Sequence, residues 1–301
     1  MIKLNEIFAP LLTRQNIKVI IITKTLIRRR SDMQIKTFYL DGEKTVCMKA
    51  YLLDNIENLP WCEKRPAILI FPGGGYEFCS SREGEPIAMR YAAEGFNTFV
   101  LYYTVNKKYP ASFANAAYAL YKIRQRADDF HIDKDKIAVW GASAGGHLAG
   151  CLATMWADST IVRAIGCQPE DIRPNAAILS YPVISGVTAP HIGSFNVLLG
   201  ENAPRAELSR LSLENRVTPK TPPIFLWCTA NDDLVSAHNS LVMAKACVSN
   251  KVPCELHMFD CGPHGLSDCA KGTGWSEEFN DEYLRQWIPL SIHFLNKYMN
   301  I

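Results

Sequence analysis

The chain has 301 residues, 48% hydrophobic and 21% charged, the balance of a globular protein with one large core. Its formal net charge is +2, and the positive excess lies in residues 1–32. Residues 33–301 hold 25 Lys or Arg against 28 Asp or Glu, a balance of −3. This body has no basic stripe, which argues against a nucleic-acid partner. We expect a small-molecule substrate.

The first 32 residues differ from the rest of the chain. Their apolar run, residues 17–27, is interrupted by Lys18 and Lys24 and is too short to cross a bilayer. No small-residue cleavage site follows it, so we expect no membrane partner.

Ten cysteines lack any C-x-x-C pair, which favours neither a zinc site nor a disulfide framework. We predict a cytoplasmic protein without a metal, with residues 1–32 as an N-terminal extension and residues 33–301 as the folded domain.

Hydrophobic patterning predicts a hairpin followed by alternating strands and helices. Apolar segments at 37–40 and 45–53 flank the turn signal Asp41-Gly42. Strand-like runs follow at 67–71, 98–103, 137–140, 176–180, 224–228 and 255–259, and helix-like stretches at about 85–94, 112–127, 145–157, 236–250 and 280–298. This alternation predicts a mainly parallel sheet with helices on both faces. Residues 183–222 are irregular and proline-rich; we expect them to form a cap over the site, the alternative being a surface excursion without function.

The most informative segment, residues 137–150, runs from a short apolar strand through Gly-Ala-Ser-Ala-Gly into a helix. A G-x-S-x-G pattern between a strand and a helix is typical of a nucleophile elbow, here with Ser143 at its apex. Gly141 and Gly145 leave room for the tight turn. The helix start directs free N–H groups at the place where a tetrahedral oxyanion forms. Ester or amide hydrolysis is the chemistry that this pattern indicates.

A serine nucleophile needs a histidine base and a carboxylate that orients the histidine. In proteins with a nucleophile elbow, the carboxylate and the histidine both follow later strands. Asp232 and Asp233 come after a strand-like run. We prefer Asp232 because an aliphatic residue, Val235, lies three positions on; Asp233 is the fallback, and its other role would be helix capping. His264 follows the next strand and is the predicted base. We expect His191, in the presumed cap, at the surface, the alternative being a contact with substrate.

The loop after the first predicted parallel strand, Pro72-Gly-Gly-Gly-Tyr76, allows close approach of its backbone. No phosphate-binding pattern follows it. We therefore expect the backbone N–H groups of Gly74 and Gly75, together with that of Ala144, to form the oxyanion hole.

The chain resembles the α/β-hydrolase superfamily in Pro72-Gly-Gly-Gly-Tyr76, Gly141-Ala-Ser-Ala-Gly-Gly146, Asn231-Asp-Asp233 and Gly262-Pro-His-Gly265. More narrowly, it is similar to bacterial carbohydrate esterases and acetyl(xylan) esterases, near the feruloyl-esterase-like and hormone-sensitive-lipase-like groups. The segment Arg82-Glu-Gly-Glu-Pro86 also looks like this branch, although a loop-stabilising ion pair explains it equally well. Lipase-like relatives carry histidine where this chain has Pro72, so the internal hydrogen bonds of the loop must differ.

The resemblance implies an α/β-hydrolase fold, with a mostly parallel central sheet, an N-terminal antiparallel hairpin, helices on both faces and a small cap. It also implies Ser143 as nucleophile, Asp232 as acid and His264 as base, with Gly74, Gly75 and Ala144 in the oxyanion hole. We expect a serine hydrolase that forms an acyl-enzyme from short-chain carboxylic esters, with acetylated sugars or xylan-derived oligosaccharides as first candidates. No cofactor is expected, and a homodimer is one option for its assembly.

Two other functions stay open. A small serine peptidase of the prolyl-oligopeptidase type shares this order of residues. Such enzymes usually carry a large propeller domain, but only about 35 residues of the predicted domain, residues 33–66, precede its first parallel strand. A non-catalytic binding protein on the same fold is the third reading. Six aromatic residues in or near the pocket-forming loops are candidates for stacking on a sugar or for restricting the acyl pocket, although each is individually expected to be a core or packing residue: Tyr76, Phe78, Tyr103, Tyr109, Tyr181 and Phe195.

Overall fold

The computed structural model describes residues 33–56 and 59–301. The predicted N-terminal extension, residues 1–32, lies outside the described residues. The strands are β1 (Gln34–Tyr39), β2 (Cys47–Leu52), β3 (Arg65–Phe71), β4 (Asn97–Tyr102), β5 (Ile132–Ala142), β6 (Ala176–Ser180), β7 (Ile224–Thr229) and β8 (Cys254–Phe259). The helices are α1 (Glu85–Ala93), α2 (Ala111–Gln125), α3 (Ser143–Met155), α4 (Ser159–Ile165), α5 (Ile192–Leu199), α6 (Arg205–Leu211), α7 (His238–Ser249) and α8 (Trp287–Met299).

The strands form one sheet in the order β1-β2-β4-β3-β5-β6-β7-β8. β1 pairs with β2 in antiparallel register, with Phe38 opposite Met48, and β2 is antiparallel to β4. All other neighbours in this sheet run parallel. These pairings confirm the predicted hairpin and the mostly parallel sheet.

Helices cover both faces because the central strands are apolar on both sides. Every residue of β3, β6 and β7 is buried. On one face the core contains Phe113 of α2, Leu148 of α3 and Met243 of α7. On the other face it contains Tyr91 of α1 and Trp287 of α8. No helix within residues 33–56 and 59–301 is both long and apolar enough to cross a membrane.

Several boundaries differ from the predicted ones. The last helix begins at Trp287 rather than near residue 280, because Pro289 then falls in its first turn, where its missing N–H costs nothing. Upstream, the Asp281 carboxylate accepts the N–H groups of Tyr283 and Leu284 and holds a turn. The short helix α4 was not predicted. The insertion at 183–222 is more regular than expected, since it contains α5 and α6.

The parallel strands β3, β5, β6, β7 and β8 end at the same edge of the sheet. The segments that follow these ends carry the glycine loop, Ser143, Tyr181, Asp232 and His264, in that order. In open parallel sheets this edge is where ligands bind. The topology therefore gathers the predicted site residues although they are far apart in sequence.

Candidate active site

Ser143 lies in a tight turn between β5 and α3, in which the positions two residues before and two residues after it have room only for glycine. A Cβ atom on Gly141 would lie 2.0 Å from the carbonyl oxygen of Gly145, and one on Gly145 would lie 2.1 Å from that of Phe71. Ser143 has a φ of 52°, a left-handed conformation that is strained for a residue with a side chain. The residue is largely buried and lies at the wall of a cavity.

His264 links the Ser143 hydroxyl to the Asp232 carboxylate. Its Nε2 lies 2.9 Å from Ser143 Oγ, and its Nδ1 lies 2.7 Å from Asp232 Oδ2. Because an ionised carboxylate only accepts hydrogen bonds, Nδ1 carries the proton and Nε2 is left to accept the serine proton. The structure thus brings together the three side chains that the sequence singled out.

The two adjacent aspartates have different surroundings. The side chain of Asp232 is 1% exposed, and its Oδ1 accepts the N–H groups of Leu234 (3.0 Å) and Val235 (2.8 Å). These bonds leave Oδ2 facing His264. Asp233 is exposed at the cavity wall. Helix α7 begins at His238 without a side-chain cap, so Asp233 does not have the capping role considered for it.

The loop that carries His264 is fastened to the end of β7. The Thr229 hydroxyl donates to the carbonyl of Gly262 (2.8 Å), and the Gly262 N–H donates to the side-chain oxygen of Asn231 (2.8 Å). Gly262 has a φ of 150°, and a Cβ there would lie 2.9 Å from the Thr229 methyl group. Glycine at this position therefore lets the loop approach the strand closely.

Two peptide units of the glycine loop are held in fixed orientations. The carbonyl oxygen of Gly73 accepts the N–H of Ser80 (2.9 Å), and that of Gly74 accepts the N–H of Glu77 (2.9 Å). The C=O and N–H of a trans peptide point in opposite directions, so these bonds direct the N–H groups of Gly74 and Gly75 away from those donors. Both residues line the cavity. We find no acceptor for either N–H in the described part of the chain.

The N–H of Ala144 is fixed in a similar way. The carbonyl oxygen of Ser143 accepts the N–H of Val183 (3.0 Å), so the Ala144 N–H of the same peptide points away from Val183. It lies in the first turn of α3, where N–H groups have no partner within the helix. Among the described residues it has no acceptor. All three expected oxyanion donors are thus available to a ligand.

The glycine loop is anchored by two buried side chains, which explains how it accommodates Pro72. The Tyr103 hydroxyl donates to the carbonyl oxygen of Pro72 (2.6 Å). The N–H of Gly73 donates to Glu83 Oε2 (2.8 Å) and is therefore occupied. Arg82 does not pair with Glu83; its guanidinium donates to the carbonyls of Gly265 (2.7 Å) and Thr273. The ion pair considered for this segment does not form.

Two further histidines lie near the site. His147 of α3 is buried: the Tyr76 hydroxyl donates to its Nδ1 (2.7 Å), and its Nε2–H donates to the carbonyl of Leu211 (2.9 Å). Burial lowers the pKa of His147 to about 4. His191 is half-buried in the cavity wall rather than on the surface, and its Nδ1 accepts the N–H of Ser194 at the start of α5 (3.3 Å). Burial and the nearby His264 lower the pKa of His191.

Ser143 and His264 open onto a cavity of about 630 Å³. Two exposed aromatic side chains line it, Phe78 at 58% and Trp275 at 74% exposure. The Arg82 guanidinium lies 3.7 Å from the centre of the Trp275 ring and supports one face of it. Trp275 was not predicted, because it follows a stretch without helical or strand periodicity. Of the six predicted aromatic candidates, four are buried: Tyr76, Tyr103, Tyr181 and Phe195.

The BD-FAE family model matches residues 59–247, more than half of the chain. The chain belongs to the BD-FAE family. Endo-1,4-beta-xylanase B of Butyrivibrio fibrisolvens is 37% identical over 231 residues, which are 74% of this chain and 34% of that protein. Acetylxylan esterase of Xylanibacter ruminicola is 27% identical over 228 residues, 73% of this chain and 44% of that protein. This BD-FAE chain therefore spans less than half the length of either curated relative.

The crystal structure of an acetyl ester-xyloside bifunctional hydrolase from Caldicellulosiruptor lactoaceticus has a TM-score of 0.75 and 31% identity. The match covers 89% of this chain and 97% of that one. The fold is the α/β-hydrolase fold, as predicted, and the resemblance to carbohydrate esterases is confirmed. The BD-FAE chain is thus an α/β hydrolase related to acetylxylan esterases and carboxylesterases.

Proposed function

We propose that this chain hydrolyses short-chain carboxylic esters through a serine acyl-enzyme, and that acetylated sugars are its substrates. The observation that supports the chemistry best is the hydrogen-bonded series from Ser143 Oγ through His264 to Asp232, at distances of 2.9 Å and 2.7 Å. A base within hydrogen-bonding distance is what converts a neutral hydroxyl into a nucleophile.

In the first step, Ser143 Oγ attacks the ester carbonyl carbon while His264 Nε2 accepts the hydroxyl proton. Asp232 keeps the imidazole in the required tautomer and stabilises the imidazolium that forms. The negative charge on the former carbonyl oxygen is met by the free N–H groups of Gly74, Gly75 and Ala144. His264 then returns its proton to the departing alcohol.

In the second step, a water molecule gives a proton to His264 Nε2 and attacks the acyl carbon of the enzyme ester. The tetrahedral intermediate uses the same oxyanion donors. As it collapses, Ser143 Oγ leaves and recovers its proton from His264, which releases a carboxylic acid and restores the enzyme. The chain's own residues move every proton in this cycle.

The choice of acetylated sugars rests on the relatives' names and on the cavity. Two of the similar proteins are called an acetylxylan esterase and an acetyl ester-xyloside bifunctional hydrolase. A cavity of about 630 Å³ is larger than an acetyl group needs and leaves room for the alcohol part of the ester. The exposed ring of Trp275 offers a flat apolar surface to a sugar ring at the cavity wall.

The test is hydrolysis of nitrophenyl esters from acetate to decanoate, followed by acetylated xylo-oligosaccharides. We expect kcat/KM to be highest for acetate, acetate to be released from the oligosaccharides, and Ser143→Ala to remove both activities. Equal rates at all chain lengths, or no acetate from any oligosaccharide, would contradict the proposed substrate class. Undiminished hydrolysis by Ser143→Ala would contradict the proposed mechanism.

A further inference from the structure

A buried carboxylate lies directly beneath the glycine loop. Glu83, in the single 3-10 turn Ser81–Glu83, is 3% exposed. Its Oε2 accepts the N–H of Gly73 at 2.8 Å, and its Oε1 accepts the Tyr181 hydroxyl at 2.7 Å. Each carboxylate oxygen therefore receives a hydrogen bond from a different part of the fold.

Gly73 is one of the residues through which the glycine loop closely approaches the serine turn. A Cβ on Gly73 would lie 2.7 Å from Glu83 Oε2, 2.9 Å from the Ala142 carbonyl oxygen and 3.1 Å from Ser143 Cβ. The next peptide unit carries the N–H of Gly74. A shift of Gly73 away from Glu83 would consequently move an expected oxyanion donor relative to Ser143.

Tyr181 carries the connection on to the histidine loop. It is the first residue after β6, and its hydroxyl accepts the N–H of Ser267 at 2.9 Å, three residues beyond His264. Its ring packs edge-on against the His264 imidazole, with ring centres 5.1 Å apart. Burial and the Glu83 carboxylate raise the pKa of Tyr181 well above its ordinary value of 10. The hydroxyl therefore stays protonated and donates a hydrogen bond to Glu83.

Stability alone is a poor explanation for this carboxylate. Within residues 33–56 and 59–301, no Lys, Arg or His forms an ion pair with Glu83, and a buried carboxylate without a counter-ion is costly. Both of its partners donate, however, and only a carboxylate offers an acceptor to each. The arrangement suits a group that must hold two donors in fixed positions.

We propose that Glu83 is a positioning residue, which holds the oxyanion loop through Gly73 and the histidine loop through Tyr181 in register with Ser143. This role rests on the serine esterase mechanism proposed above. Glu83 takes no part in bond making; it acts through the residues that do.

Three variants separate the two connections. Glu83→Ala removes both. In Glu83→Gln the side-chain oxygen still accepts the Gly73 N–H, because a backbone N–H can only donate. The NH2 group of the glutamine then faces the Tyr181 hydroxyl. This variant therefore disturbs mainly the connection to the histidine loop. Tyr181→Phe removes only the connection from Glu83 to the histidine loop. Tyr91→Phe is the matched control, because its buried hydroxyl bonds to Ser291 between α1 and α8, outside the site.

Nitrophenyl acetate kinetics, with thermal unfolding to verify folding, provide the test. We expect kcat to fall about 100-fold in Glu83→Ala and about tenfold in Glu83→Gln and Tyr181→Phe, with KM within threefold of wild type. Tyr91→Phe is expected to keep both constants. Partial recovery in Glu83→Gln relative to Glu83→Ala, in kcat and not in KM, distinguishes positioning from a general loss of structure.

A folded Glu83→Ala enzyme with kcat within threefold of wild type would overturn the proposal. If that variant does not fold, wild-type kcat in both Glu83→Gln and Tyr181→Phe overturns it equally. Ser143→Ala is measured beside them. If it remains active, the serine mechanism itself fails; if it is inactive while Glu83→Ala is fully active, only the positioning role fails.

Discussion

The buried histidine of α3 allows a quantitative prediction about stability. His147 accepts from the Tyr76 hydroxyl and donates to the Leu211 carbonyl, so it joins the glycine loop and the insertion to α3 as a neutral ring. Tyr76 keeps its proton, because burial raises its pKa well above 10. Protonation of His147 would put a second donor where the Tyr76 hydroxyl already donates. Folding therefore disfavours the charged ring and lowers the pKa of His147.

The direction and size of the effect follow from linkage. The pKa of His147 falls from an ordinary 6.5 to about 4 on folding, so the unfolded chain binds more protons between these values. The stabilisation is fully present above pH 6.5 and is lost as pH falls from 6.5 towards 4. Since one pKa unit corresponds to about 1.4 kcal/mol, the whole loss is about 3 kcal/mol, and between pH 7 and pH 4.5 it is about 2 kcal/mol.

The assay is urea unfolding of wild type and His147→Gln at pH 7.0, 6.0, 5.0 and 4.5. Glutamine can accept from Tyr76 and donate to Leu211 but does not titrate, so contributions from other groups cancel in the difference between the two proteins. We expect the free energy of unfolding of the wild type to fall by about 2 kcal/mol more than that of the variant across this range. His293→Gln, at an exposed position of α8, is the control. Parallel pH curves for wild type and His147→Gln would refute the reasoning.

Three further predictions concern the site. Gly73→Ala puts a Cβ 2.7 Å from Glu83 Oε2, and we expect kcat for nitrophenyl acetate to fall at least tenfold. Gly42→Ala, whose Cβ would have no atom within 4 Å, is the control and is expected to keep the wild-type kcat. Equal kcat values for the two variants would contradict the packing argument. Asp232→Asn favours the wrong histidine tautomer and is expected to lower kcat about 10⁴-fold, against less than tenfold for Asp233→Asn. The reverse order would show that the carboxylates are wrongly assigned. Trp275→Ala is expected to raise KM for acetylated xylo-oligosaccharides about tenfold and to leave KM for nitrophenyl acetate unchanged. An unchanged KM for both substrates would show that the Trp275 ring does not contribute to substrate binding.

The sequence was sufficient for the parts of the fold that depend on local patterning. The elbow around Ser143 needs glycines at fixed spacing, because backbone atoms crowd Gly141 and Gly145 and leave no room for a side chain at either position. The mainly parallel sheet followed from the alternation of apolar runs and helix-like stretches. The placement of the site segments at one edge followed in turn, since parallel strands end at the same edge. The start of α8 was less predictable, because Pro289 permits several starts upstream of it.

Apart from those that join Ser143, His264 and Asp232, the contacts between distant segments could not be predicted. Glu83 and Tyr181 are separated by 98 positions, and nothing in the local sequence of either indicates the other. Tyr76 was considered for sugar stacking because it adjoins the glycine loop, but its hydroxyl faces His147 in the core. Trp275 lies in an irregular segment, and only the fold brings it over Arg82. These contacts depend on tertiary packing, which periodicity does not encode.

The most direct test of the account is covalent labelling with an alkyl fluorophosphonate, followed by peptide mapping by mass spectrometry. The reagent reacts with a serine that has an adjacent base and mimics the tetrahedral intermediate at the oxyanion donors. We predict one adduct per chain, on the peptide that contains Ser143, and none on Ser143→Ala. An adduct at another serine, or no adduct on active wild-type enzyme, would contradict the assignment of Ser143 as the nucleophile.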